Sequence, residues 1–124
     1  MKVKHAQNFE FVDVNKETIT TYFEKYKNSG KIDEAQQLEK ILKSLDELTE
    51  ITEDNIERIV NEAFDENIRK MKALRKEIRK IPSGDDIRKE IRNQIRAITK
   101  CNKALLPFSK RQRLRVAALS ATLH

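Results

Sequence analysis

Only two glycines and two prolines punctuate the 124 residues, tryptophan is absent, and there is a single cysteine. Gly30 and Gly84 stand far apart, so no glycine-rich loop can cradle a phosphate. So few breakers exclude a fold built on many tight turns and point to long helices. Cys101 has no partner for an internal disulfide, which fits a reducing, cytoplasmic compartment, or the nucleus if the source is eukaryotic. His5 and His124 sit near opposite ends, and no HExxH or CxxC spacing occurs. No Ser/His/Asp or Cys/His set can be assembled, so the chain reads as a non-enzyme without catalytic residues, metal or cofactor. Cys101 itself falls at a core-facing helical position and reads as a small hydrophobe. The opening MKVKHAQNFEF is basic but has no apolar stretch of signal-peptide type. The longest nearly uncharged run, Val116–Leu123, is too short to span a bilayer.

What the chain has in excess is charge. Hydrophobic residues make up 38% and charged residues 37%; ordinary domains lie near about 45–50% and about 25%. The length fits one domain with a thin core. The charge is unevenly spread. Residues 1–62 hold nine Lys and Arg against fourteen Asp and Glu, a net −5; residues 63–124 hold seventeen against six, a net +11. An acidic half therefore precedes a basic half. Such asymmetry points to a polyanion as partner, or to one half folding against the other.

Hydrophobic periodicity divides the chain into about five helices behind a short extended arm (1–15). In the arm, FEFVDV (Phe9–Val14) is the one strand-like segment, best laid across the helices. The spacing predicts a first helix over 16–27, capped by Asn15, with a Val14/Ile19 staple and a core-facing stripe of Ile19, Tyr22, Phe23 and Tyr26. Gly30 suits the left-handed position that closes it. A second helix over 32–48 carries a seam of Ala35, Leu38, Ile41, Leu42, Leu45 and Leu48, nearly a coiled-coil repeat. A third starts at Thr52, with an Ile51/Ile56 staple, and meets no breaker before Pro82. PSGDD is a turn, with Ser83 as the expected cap of a fourth helix reaching about Leu105. There Ile87, Ile91, Ile95, Ile98, Cys101 and Leu105 are expected inward. The short turn implies a long central antiparallel hairpin whose two arms both carry basic rows. The fold expected is thus an all-α, elongated helical bundle. The last helix, from Ser109, is apolar nearly all round and should be buried, in its own chain or in a twin subunit; the alternative expectation is a fragment whose natural continuation would cover it.

The stretch PFSKRQRLR poses a charge problem. Ser109 and Gln112 form a capping box, yet the first turn holds Lys110, Arg111 and Arg113, where the backbone is already positive. An anion at this helix start would offset the penalty. A second basic group, Arg88, Arg92, Arg96 and Lys100, repeats every four residues along one face of helix 4. Arg binds phosphate in a bidentate fork, so these four with Ser109, Lys110, Arg111, Arg113 and Arg115 form the candidate nucleic-acid or anion site. The same side chains have a plainer use, covering the core edge or pairing with acids of helices 2 and 3. Two function classes follow. One is a non-catalytic nucleic-acid-binding accessory protein, for DNA or RNA, contacting phosphates without reading sequence. The other is a structural adaptor that homo-oligomerises or binds an acidic protein partner. A membrane surface fits least, because the basic stretches lack aromatic anchors apart from Phe108.

Overall fold

The computed structural model describes residues 12–122, without the side chains of 116, 117 and 120–122. Its elements are α1 (Lys16–Asn28), α2 (Ile32–Asp46), α3 (Glu53–Arg79), α4 (Asp86–Leu105), a 3₁₀ turn (Leu106–Phe108) and α5 (Lys110–Thr122). No strand occurs among the described residues. Of the strand-like segment, Phe9–Phe11 lie outside them, and Val12–Val14 are irregular.

The helix starts follow from their caps. Asn15 Oδ1 accepts from Thr18 N at 2.8 Å, Thr52 Oγ1 from Asn55 N at 3.2 Å, and Ser109 Oγ from Gln112 N at 3.2 Å. Each satisfies a backbone donor that the first turn leaves free. Gly30, at φ +73°, ends α1. Lys31 N donates to Tyr26 O at 2.9 Å and Gly30 N to Lys27 O at 3.2 Å, the paired bonds of a Schellman ending. The fourth helix begins later than its sequence implies. Asp85, not Ser83, is the cap, accepting from Ile87 N at 2.9 Å. The reason is Gly84 between them: at φ +90° it turns the chain left-handed, so helical geometry starts only beyond it.

The core gathers at one end of the molecule. Val14, Ile19, Leu38, Ile41, Leu45, Ile56, Val60, Phe64, Leu105 and Phe108 form one buried cluster, and Tyr22, Phe23 and Tyr26 pack against it. Tyr22 meets Phe108 edge-on, with centroids 5.3 Å apart, a favourable aromatic geometry. None of the cluster's buried members falls between Phe64 and Leu105. Four apolar side chains with core-facing or staple roles in the sequence lie at the surface of the single chain. Ile87 is 56% exposed because it lies beside the turn, where none of the described residues covers it. Ile51 is 43% exposed, so the staple it was to form with Ile56 leaves it largely in water. Leu114 and Leu119 are 63% and 59% exposed, so α5 is not enclosed by the described residues.

Three helices are tied together by buried amides. Asn67 Nδ2 on α3 donates to Gln37 Oε1 on α2 at 2.9 Å and to Asn102 Oδ1 on α4 at 2.8 Å. All three residues are buried. Toward the turn, Thr99 lies against Met71, and Arg88 Nη1 donates to Ile78 O at 2.8 Å and Ile81 O at 2.7 Å. The start of α4 therefore meets the end of α3, and the end of α4 meets its middle, so the two helices run antiparallel. Asn67→Ala removes a donor shared by two buried carbonyls. Urea unfolding should show a loss of about 2–4 kcal/mol, whereas Asn93→Ala, at an exposed α4 position, should stay within about 0.5 kcal/mol.

Candidate functional site

The nine residues singled out by sequence separate into two groups. Four are held within the molecule. Arg88 closes the end of α3, where carbonyls lack helical partners, by its bonds to Ile78 O and Ile81 O. Ser109 is fully buried; besides capping α5 it donates to Asn61 Oδ1 at 2.6 Å. Arg111 Nη2 contacts both carboxylate oxygens of Asp65 at 3.1 and 3.2 Å. Arg113 Nη1 donates to Val12 O at 3.0 Å, and its Nη2 lies 3.7 Å from Glu57 Oε1 in a largely buried pair. The charge problem at the start of α5 thus has an internal answer. Glu57, Asn61 and Asp65 stand four residues apart on one face of α3, and the first turn of α5 is seated on that face. Carboxylates of α3 offset the cations there.

The other five, Arg92, Arg96, Lys100, Lys110 and Arg115, are exposed. Their neighbourhood follows from helix handedness. A right-handed helix seen from its start turns clockwise as it advances. In two antiparallel helices the residues just after each contact position therefore fall on the same side of the pair. Asn67, Met71, Leu74 and Ile78 face α4, so the residues after them are Ile68, Lys72, Arg75 and Arg79. On α4 the buried Ile91 and Asn102 mark the side toward α3, with Thr99 against Met71 at its edge; the residues that follow Ile91, Ile95 and Asn102 are Arg92, Arg96 and Lys103. One side of the α3–α4 pair thus carries Lys72, Arg75, Arg79, Arg92, Arg96 and Lys103, all exposed. Lys100 stands on its outer flank. None of these seven forms an ion pair among the described residues.

The opposite side differs in kind. On α3 it holds Glu66, Lys70, Ala73 and Glu77, with Lys70 3.3 Å from Glu66 and Lys80 3.8 Å from Glu77. On α4 it holds Glu90, Gln94, Ala97 and Cys101. The α2 helix covers part of it: Cys101 Sγ lies 3.4 Å from Asp33 O. Between α2 and α3 a cleft of about 460 Å³ has Ile41, Leu48, Ile59 and Ala63 in its lining and charges of both signs at its edges. No group of His, Cys, Asp and Glu able to hold a metal ion occurs among the described residues. Residues 69–103 contain thirteen Lys and Arg against four Asp and Glu, a net +9. Seven of those thirteen cations lie on or at the flank of the one basic face, and all seven are exposed. Lys72, Arg75 and Arg79 belong to it as much as the α4 row does, though the candidate set left them out; the signal was the basic run of α3 combined with the antiparallel turn.

In comparisons with protein-family models, curated proteins and solved structures, no match to this chain was found, so the functional reading rests on its own geometry.

Two outcomes separate structural from exposed groups. Arg88→Ala removes two charge-assisted bonds and should cost about 1.5–3 kcal/mol in urea unfolding, while Arg92→Ala should change stability by under about 0.5 kcal/mol. The Cys101 thiol is pushed above its ordinary pKa, by burial first and then by the carboxylates of Asp33 and Glu34. A raised folded pKa means that its contribution to stability is complete below the unfolded value and is lost as pH rises through the folded one. Alkylation at pH 8 should accordingly be slower in the native chain than in urea, and stability should decline in the alkaline range.

Proposed function

We propose that this chain is a non-catalytic nucleic-acid-binding accessory protein whose contacts are to phosphates. The observation that carries the reading is the one-sided basic face of the α3–α4 pair. Its cations are exposed, without carboxylate partners among the described residues, and contributed by two helices that pack onto each other. In this reading the pair is a hairpin projecting from the core end. The site is then Lys72, Arg75, Arg79, Arg92, Arg96, Lys100 and Lys103, with Lys110 and Arg115 beside it. Arg88, Ser109, Arg111 and Arg113 support it without touching the ligand. Recognition by such a face is electrostatic and indifferent to sequence.

A second reading is favoured by α5. Leu114 and Leu119 are exposed, and beyond Arg115 the helix carries no charged residue, which suits an adaptor that homo-oligomerises or holds an acidic protein partner. In that case the basic face meets protein carboxylates instead of phosphates.

Fluorescence anisotropy with labelled duplex and single-stranded DNA and RNA tests the first reading. With seven phosphate contacts on duplex DNA, affinity should fall about 10³–10⁴-fold between 50 and 200 mM salt. Absence of binding to every one of these ligands at 50 mM salt overturns it and leaves the adaptor reading.

A further inference from the structure

We infer that the basic face is built for a double-stranded nucleic acid rather than a single strand; the inference rests on the phosphate-binding reading above. Three features of the face carry it. The first is what the face lacks. No Phe, Tyr or Trp occurs between Phe64 and Phe108, so neither helix of the face offers a ring. Phe64 and Phe108 are themselves buried, and Tyr22, Phe23 and Tyr26 pack against the core. Proteins that hold single strands combine a basic groove with aromatic platforms on which unstacked bases rest. Among the described residues only the basic part is present. A duplex hides its bases and presents phosphates alone, which is what this face can meet.

The second feature is the doubling of the rows. Packed helix axes lie about 8–10 Å apart. That falls between the roughly 6 Å minor groove and the roughly 12 Å major groove of B-DNA. Lys72, Arg75 and Arg79 are then placed to meet one strand, and Arg92, Arg96 and Lys103 the other, across a groove. The third is length. Arg92 to Lys103 spans about 16 Å along α4 at 1.5 Å per residue. Duplex DNA carries one charge per about 1.7 Å of axis, so about ten phosphates, counted around both strands, lie within that length. A single strand presents half that density to the same cations.

The test compares a 24-base-pair DNA duplex with one of its own strands, using the full chain at matched salt. Seven contacts give a slope of log affinity against log salt of about −6.3 on duplex and about −4.9 on a single strand. The difference corresponds to about 25-fold tighter duplex binding at 0.1 M salt, taking equal affinity at 1 M. Each row is then removed separately. Lys72→Ala/Arg75→Ala/Arg79→Ala and Arg92→Ala/Arg96→Ala/Lys103→Ala should each flatten the duplex slope by about 2.7. Lys70→Ala/Lys80→Ala, on the opposite side, should leave it unchanged. Unaltered circular dichroism confirms that exposed-site variants keep their helices. Single-strand binding as tight as duplex binding overturns the inference while leaving phosphate binding in place. A slope that responds to one triple variant alone overturns the docking of two rows. Binding to neither ligand overturns the underlying reading itself.

Discussion

The amide of Asn67 is the constraint on which the arrangement depends. Its nitrogen is shared between Gln37 on α2 and Asn102 on α4, inside a layer that is otherwise apolar. Apolar side chains tolerate a helix sliding or rotating by one contact position at small cost. A buried donor with two acceptors does not, because displacement leaves three polar groups unpaired. The trio therefore selects one register of α3 against α4 and one side for α2. In the proposed reading, register bears on phosphate binding as well as on stability. Turn α4 by a single residue and its basic row leaves the side on which the α3 row lies.

The same α3 helix carries two opposite electrostatic tasks on one continuous row. Its first half presents Glu57, Asn61 and Asp65, and these receive Arg113, Ser109 and Arg111 of the α5 start. Its second half presents Lys72, Arg75 and Arg79, and nothing among the described residues covers them. The acidic and basic halves of the chain thus fold against each other only in part. The internal pairings use the cations next to Pro107 and leave those of the α3–α4 pair exposed. Exposed ion pairs contribute about 0–1 kcal/mol, so Arg111–Asp65 is a modest contact. Arg113 is the stronger anchor, because it is largely buried and also bonds the Val12 carbonyl.

Much of the fold was legible in local chemistry. Asn15, Thr52 and Ser109 cap where short polar side chains precede apolar periods, and Gly30 ends α1 where a left-handed residue is needed. Local signals misled where two candidates lay close together. Ser83 and Asp85 are both good caps, and only the geometry of Gly84 decides between them. Ile87 continues the apolar period but has no neighbour to cover it. The candidate site was half legible. The α4 row could be counted in fours, but Arg88 belongs to the same count and points to the end of α3 instead. Gln37, Asn67 and Asn102 look like surface residues in sequence, since nothing local reveals that three amides 30 and 35 positions apart meet. The α3 row became part of the site only through antiparallel pairing, which is a tertiary fact.

Helix electrostatics account for some of the charge and not for the rest. Glu53 and Asp54 at the start of α3, and Lys76 and Arg79 at its end, complement the helix dipole. That effect is confined to the first and last turns and contributes about 0.3–1 kcal/mol per charge. Lys72 and Arg75 lie in the interior of α3, and Arg92 and Arg96 in the interior of α4, outside its reach. Like charges three or four apart on one helix repel by about 0.2–0.5 kcal/mol a pair. The runs Lys72–Arg75–Arg79 and Arg92–Arg96–Lys100 therefore cost stability in the free protein. Carboxylates opposite them would remove that cost, as Glu66 does for Lys70 on the other side of α3. Among the described residues no carboxylate pairs with them, so that cost stays unrelieved there, and the proposed phosphate contacts would relieve it.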